Sequence, residues 1–180
     1  MIWVDETYIN YLPDAVSLEP LCGSLPELVV CKSMSKCYAL SGLRVAYAVS
    51  QNMATLRRFI PPWAVSLPGQ LAAVAALRND AYYAQQYEVI HSERRKMQQA
   101  LDDLGFQVFS GVANYLLTYL PAASGYSSTR FIEACREQGL FVRDAQNMGI
   151  LLPNNAVRFA VRSPEENEKM LSIVDAVLAL

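Results

Sequence analysis

Short apolar runs separated by polar segments mark the first half of the sequence. Residues 1–4 and 28–32 have the length and composition of buried strands, and residues 44–49 form a third run of this kind. Carboxylates follow the first run, and hydroxyls with a lysine follow the second. This pattern predicts an α/β region whose strands end in polar, ligand-accessible segments.

Helical periodicity begins after the third run. Asn52 is placed to cap a helix over 52–59, which Pro61 and Pro62 end. A helix over 68–78 follows, with Leu71, Val74, Ala75 and Leu77 on one face. A longer helix over 81–104 ends at Gly105, and its charged middle over 88–96 predicts a solvated surface.

The second half of the sequence predicts a small α+β unit. Strands are expected over 106–109, 115–120 and 156–161, with a short extended segment at 141–143. Ser127 or Ser128 caps a helix that ends near Gln138. Ser163-Pro164-Glu165-Glu166 is typical of a helix start, so the last helix begins there. We therefore predict two regions, 1–90 and 91–180.

The composition of the chain limits the classes of function that it can have. The 180 residues are 53% hydrophobic and 18% charged, with a net charge of −2 that does not favour nucleic-acid binding. No apolar run is long enough to span a membrane, and the start of the sequence does not resemble a signal peptide. The four cysteines form no C-x-x-C pair and His91 is the one histidine, so we predict no metal site and a reducing, cytoplasmic location.

The loop after the second run carries the main candidate chemistry. Ser33 and Ser35 precede Lys36, and Arg44 follows Gly42. Hydroxyls and an arginine suit a phosphate monoester, and a lysine can form a Schiff base with an aldehyde. Pyridoxal phosphate carries both groups. A surface loop with a solvated Lys36 remains the alternative on this stretch alone.

The end of the first run supports the cofactor interpretation. Asp5 follows a predicted strand, where a carboxylate can meet the ring nitrogen of pyridoxal phosphate and keep it protonated. Tyr8 is close behind and could donate a hydrogen bond to the ring oxygen.

Taken together, these motifs resemble the class I/II, fold-type I pyridoxal-phosphate aminotransferases. The resemblance includes Asp5-Glu6-x-Tyr8, Ser33-x-Ser35-Lys36 and Gly42-Leu43-Arg44. Residues 61–66, 141–144 and 157–167 are similar to the branch that contains histidinol-phosphate aminotransferases and threonine-phosphate decarboxylases. The similarity extends from the first residue to the last helix.

The resemblance implies a role for each motif residue. Lys36 would form the imine and then move protons at the substrate's Cα. Arg158 would bind the substrate carboxylate, while Asn114 and Arg143 are at least as well explained by structural roles. The implied cofactor ligands are Asp5 at the ring nitrogen, Tyr8 at the ring oxygen, and Ser33, Ser35 and Arg44 at the phosphate.

The resemblance also implies a fold and an activity. Residues 1–90 would be the C-terminal half of the large cofactor domain, with a mostly parallel sheet, and 91–180 the small domain. The expected reaction is transfer of an amino group between an amino acid and a 2-oxo acid or related carbonyl, in a homodimer when complete, as in amino-acid biosynthesis. A threonine-phosphate-type decarboxylase, and an inactive fragment or half of a split enzyme, remain alternatives, because the family has a further stretch before the Asp5 strand.

Overall fold

The computed structural model describes residues 1–149 and 151–179. The chain divides into two compact units, Met1–Tyr87 and Glu88–Leu180. Helices and strands are present in both units, so the architecture is α/β. None of the helices in the described ranges combines the length and apolar character needed to cross a membrane.

A three-stranded sheet organises the first unit. Its strands are β1 (Ile2–Asp5), β2 (Leu28–Ser33) and β3 (Ala46–Val49), in the order β1-β2-β3. β1 and β2 are parallel, whereas β3 pairs antiparallel with β2. The expected parallel character therefore holds for one pairing only. The segment between β2 and β3 contains a single 3-10 turn, Ser41–Leu43, and no helix that would carry the chain back for a parallel pairing.

The sequence prediction is wrong about the cap of the first helix, whereas the second helix begins within one residue of its predicted start. α1 (Met53–Leu56) continues as a 3-10 turn over Arg57–Phe59, but the Asn52 side chain does not cap it. The Asn52 amide instead donates to the carbonyl of Pro26 at 2.7 Å. α2 (Leu67–Leu77) is capped by Ser66, whose hydroxyl accepts from the Gly69 N–H at 3.2 Å.

The face that α2 buries is made of small residues. Gly69, Ala73 and Ala76 are buried, while Leu71 and Val74 are exposed. A Cβ at Gly69 would lie 2.9 Å from the Val45 side chain. The absence of a side chain at Gly69 therefore lets the helix approach the start of β3, and the larger apolar residues remain on the opposite face.

Helix α3 (Asp80–Asp103) leads into the second unit. That unit contains a four-stranded antiparallel sheet in the order β4-β5-β7-β6, accompanied by two further helices. The elements are β4 (Gln107–Val108), β5 (Tyr115–Tyr119), α4 (Ser128–Glu137), β6 (Arg143–Asp144), β7 (Ala156–Ala160) and α5 (Pro164–Leu178).

Aromatic residues form much of the core of the second unit. The Phe106 ring packs edge-on against Phe131 and Phe159, with centroids 6.0 Å and 5.8 Å apart. Helices α4 and α5 begin with serine caps that the local sequence predicts. Ser127 caps α4, and Ser163 forms a capping box with Glu166 at the start of α5. These caps satisfy backbone N–H groups that have no partner within the helix.

The middle of α3 is not the uniformly solvated surface that its charges predicted. Glu93 and Arg94 are both buried. Glu93 accepts hydrogen bonds from the Asn167 amide at 3.1 Å and from Lys96 at 2.7 Å. Asn167 in α5 thus supplies a polar partner that cannot be recognised from the sequence of α3 alone.

Candidate active site

The polar residues at the ends of β1 and β2 share one side of the sheet. Asp5 pairs in register with Cys31 across the parallel strands, and Ser33 lies two positions further along β2. Because side chains alternate along a strand, Asp5, Cys31 and Ser33 project from the same face. Together with Trp3 and Thr7 they line a concave space of about 370 Å³.

Thr7 connects the ends of these two strands. Its backbone N–H donates to Asp5 Oδ1 at 2.9 Å, and its hydroxyl donates to the same oxygen. The hydroxyl also accepts from the Ser33 N–H at 3.1 Å. These bonds fix the Asp5 carboxylate relative to Ser33, the first residue of the segment 33–44 that carries Lys36 (the lysine loop).

Backbone hydrogen bonds close the lysine loop, which presents the polar side chains of Ser33, Ser35 and Arg44. Ser33 Oγ lies 3.0 Å from Ser35 Oγ. The Met34 N–H donates to the Val45 carbonyl at 3.0 Å, which brings Arg44 back to the end of β2. Arg44 has a left-handed φ of 53°, which costs a non-glycine residue about 1–3 kcal/mol and is typical of functional loops.

Lys32 and Lys36 have opposite environments. Lys32 is only 7% exposed and forms ion pairs with Glu6 at 3.2 Å and Glu19 at 2.6 Å. The Lys36 side chain is exposed, and no carboxylate in the described ranges forms an ion pair with it. Lys36 is therefore the lysine of this loop that is accessible to an aldehyde.

The ion-pair cluster also shifts the pKa values of its members. Burial lowers the pKa of Lys32, but hydrogen bonds and charges from Glu19 and Glu6 outweigh it and hold this pKa above its ordinary value. Burial likewise acts to raise the pKa of Glu6. Donors from the Leu18 N–H, the Ser17 hydroxyl and Lys32 outweigh this effect and lower it. Both groups thus remain charged near neutral pH.

Tyr11 contacts the lysine loop although the two are distant along the chain, and Tyr8 packs beside Tyr11. The Tyr8 ring is 6.3 Å from the Tyr11 ring, and the Tyr11 hydroxyl donates to the Lys36 carbonyl at 3.3 Å. Cys37 is buried and its thiol donates to the Thr7 carbonyl at 3.2 Å. Burial raises the pKa of the Cys37 thiol to about 11, so it is a packing residue rather than a nucleophile.

Arg158 belongs to the second unit. It lies on β7, in register with Leu117 of β5 on one side and Arg143 of β6 on the other. Its guanidinium carbon is 4.9 Å from the centre of the Tyr115 ring. It borders a cavity of about 330 Å³ that Arg162, Lys169 and Glu166 also line, so cationic side chains outnumber the one carboxylate and the surroundings suit an anion.

The sequence prediction missed three features of the site, which are Thr7, Tyr11 and the ion-pair cluster around Lys32. Thr7 and Tyr11 form hydrogen bonds with residues of the lysine loop. Because that loop is distant from them along the chain, the local sequence does not reveal these contacts. The Lys32 cluster could have been suspected, because Lys32 and Ser33 are adjacent on a strand and must face opposite sides. No group of three or more His, Cys, Asp or Glu in the described part of the chain could hold a metal ion.

A family model and several relatives assign the chain to one protein family. The model of the aminotransferase class I and II family matches residues 1–174. The aromatic amino acid aminotransferase of Rhodococcus erythropolis is 33% identical over 182 aligned residues, which cover 99% of this chain and 48% of that protein. The threonine-phosphate decarboxylase of Salmonella typhimurium is 30% identical, covering 97% and 48%. The chain spans about half the length of the curated relatives it matches.

Solved structures share the fold. The histidinol-phosphate aminotransferase of Clostridium acetobutylicum superposes with a TM-score of 0.85 at 25% identity, covering 99% of this chain and 54% of that one. The L-threonine-O-3-phosphate decarboxylase of Porphyromonas gingivalis gives a TM-score of 0.84 at 22% identity, covering 99% and 55%. With the family match over nearly its whole length, the chain belongs to the class I and II aminotransferase family, whose cofactor is pyridoxal phosphate.

Proposed function

We propose that this chain supplies the lysine, the ring-nitrogen contact and the carboxylate-binding arginine of an enzyme that transfers an amino group between an amino acid and a 2-oxo acid or related carbonyl. The observation that carries the proposal is the contrast between Lys36, which is exposed beside two serine hydroxyls, and Lys32, which is locked between two carboxylates. The complete enzyme is proposed to act as a homodimer.

The residues of the first unit fit pyridoxal phosphate. Asp5 Oδ1 is occupied by Thr7, which leaves Oδ2 to accept from a ring N–H. Ser33 and Ser35 present neighbouring hydroxyls, and Arg44 adds a guanidinium on the returning loop; these donors suit a phosphate dianion. Tyr8 is proposed to donate to the ring oxygen.

When bound, the cofactor supplies an aldehyde and an electron-withdrawing ring. Lys36 would hold the cofactor through that aldehyde, with loss of water, and its amine would be the group placed to carry a proton to and from the substrate's Cα. Asp5 would hold a proton on the ring nitrogen. Arg158 binds the substrate carboxylate through two parallel N–H donors and so orients the Cα.

A decarboxylase is the second candidate, because one relative of comparable identity is a threonine-phosphate decarboxylase. Both reactions need the same lysine, aspartate and arginine, so the residues described here suit either. The reactions differ in product. Release of carbon dioxide without formation of a 2-oxo acid would favour decarboxylation, and formation of a 2-oxo acid would favour amino transfer.

Covalent trapping tests the lysine assignment. Incubating the protein with pyridoxal phosphate, reducing it with borohydride and mapping the peptides should place the label on Lys36. Lys36→Arg should abolish the specific label, whereas Lys32→Arg, which keeps the charge of the buried cluster, should retain it. A label that moved to Lys32, or that spread evenly over the exposed lysines, would contradict the proposal.

A further inference from the structure

Thr7 is bonded to both of the strand ends that form the proposed cofactor site. Its hydroxyl and backbone N–H bond to Asp5, the hydroxyl also accepts from Ser33, and its carbonyl accepts from Cys37. These partners include the proposed ring-nitrogen ligand, a proposed phosphate ligand and the residue that follows Lys36. No other side chain in the described ranges bonds to both Asp5 and Ser33.

The direction of the hydrogen bonds at the Thr7 hydroxyl follows from its partners. The Ser33 backbone nitrogen can only donate, so the hydroxyl oxygen must accept there. The single hydroxyl hydrogen is then available for Asp5, whose carboxylate accepts it. Both Thr7 donors point to Oδ1, and no hydrogen bond in the described ranges occupies Oδ2.

We propose that Thr7 is a positioning residue that orients the Asp5 carboxylate so that Oδ2 faces the cofactor's ring nitrogen, at a fixed distance from the phosphate ligands on the Ser33 loop. This inference rests on the proposed function. The ring nitrogen and the phosphate belong to one small ligand and are joined through the ring and a short CH2–O arm, so the separation of their protein partners can vary only within a narrow range. The Thr7 hydroxyl supplies that link because it bonds to both strand ends.

A different result is expected if Thr7 only stabilises the turn between Asp5 and Thr7. The bond from the Thr7 N–H to Asp5 joins residues two apart, as in an ordinary turn, and it does not depend on the Thr7 side chain. Thr7→Val keeps the size and branching of the side chain but removes the hydroxyl. Thr7→Ser keeps the hydroxyl. The two variants together therefore separate the effect of the hydroxyl from the effects of the turn and of side-chain packing.

The test compares pyridoxal phosphate with an analogue that has a ring CH in place of the nitrogen. In the 180-residue chain, Thr7→Val should weaken binding of pyridoxal phosphate about tenfold, as expected for a hydrogen bond to a charged group. The same substitution should weaken binding of the analogue clearly less, because the analogue makes no contact with Oδ2 and loses only the support that Thr7 gives to Ser33. Thr7→Ser should bind both ligands like the unsubstituted protein. Equal losses for the two ligands would overturn the inference.

A measurement without cofactor separates this inference from the proposed function. Amide hydrogen exchange at Ser33 should speed up in Thr7→Val and stay unchanged in Thr7→Ser, and unchanged exchange in both would overturn the link between the strand ends. If the unsubstituted protein formed no complex with pyridoxal phosphate at all, the proposed function of the chain would fail. The positioning role toward the cofactor would then fail with it, whatever the exchange at Ser33.

Discussion

Lys32 and Lys36 show how neighbours decide what an ammonium group can do. Lys32 lies on β2 with its side chain on the face opposite to Ser33, where Glu6 and Glu19 surround it. Its role is structural, since it connects β2 to the end of β1 and to the 3-10 turn Glu19–Gly23. Lys36 lies beyond the strand, where the chain turns toward solvent. The sequence places the two lysines only four positions apart, and burial distinguishes their roles.

The Glu6 cluster predicts a dependence of stability on pH. The pKa of folded Glu6 lies below its ordinary value of 4.5, so its stabilisation is present above pH 4.5 and is lost as the pH falls through the folded pKa. Glu6→Gln should reduce the free energy of unfolding at neutral pH by about 1–3 kcal/mol and flatten its decline in acid. Urea unfolding at several pH values measures both effects. The exposed Glu27→Gln is the control, and an equal loss in that variant would contradict the role of the cluster.

Arg158 carries a prediction about substrate binding. Arg158→Lys keeps the charge but loses the two-pronged contact, so kcat/KM for amino transfer should fall about 10- to 100-fold in an active preparation of the enzyme. Arg162→Lys makes the same chemical change at an exposed position, where the backbone N–H rather than the side chain bonds to Asn167. It should leave kcat/KM within about twofold of the unsubstituted value. The opposite ranking of the two variants would mean that Arg162 is the carboxylate ligand.

At the scale of elements, the contact between α2 and the start of β3 holds Arg44 near the lysine loop. Gly69 makes this contact possible, because a Cβ there would lie 2.9 Å from Val45 Cγ2 and 3.3 Å from the Leu43 carbonyl oxygen. These two residues flank Arg44. The helix therefore supports the strained residue whose side chain is proposed to bind phosphate.

Gly69→Ala should consequently destabilise the protein despite the higher helix propensity of alanine. Overpacking of this kind costs about 1–3 kcal/mol, which thermal or urea unfolding would measure. Gly42→Ala is the matched control, since a Cβ at Gly42 would meet no atom within 4 Å. If Gly69→Ala were as stable as the unsubstituted protein, the helix would not be held against β3 by this close approach.

A feature of an element can be predicted from the sequence when its partner lies nearby in the chain. The Ser163 cap was predictable because its partner, Glu166, lies in the same turn of helix. The Asn52 cap failed because a distant acceptor, the Pro26 carbonyl, competes for its side chain. The burial of Glu93 likewise depends on Asn167 in another helix. The site motifs could be read because they follow strand ends, whereas Thr7 became visible only once β1 and β2 were paired.

At the scale of the whole molecule, several large apolar side chains are exposed rather than buried. Trp63 is 95% exposed, and Phe59, Leu67 and Leu71 are also well exposed in the first unit. Leu67 and Leu71 lie on α2, and Trp63 lines an apolar groove together with Ile60, Ala73 and Val74. Exposed apolar surface of this extent is typical of an interface rather than of a solvated face. The homodimer expected of the complete enzyme remains a prediction at this scale.

The exposed face of α2 predicts self-association of this chain. Leu71 is 64% exposed on that face, so Leu71→Glu should place a charge within any contact formed there and shift sedimentation toward the monomer. The dissociation constant should rise about tenfold or more if Leu71 is central to the contact. Val89→Glu makes a similar change at an exposed apolar position on α3 and should leave association unchanged. Because both variants add the same charge, a general effect of net charge would appear in both. An equal shift in the two variants would therefore place the contact elsewhere, and a monomer at all concentrations in the unsubstituted protein would remove α2 as an interface between copies of this chain.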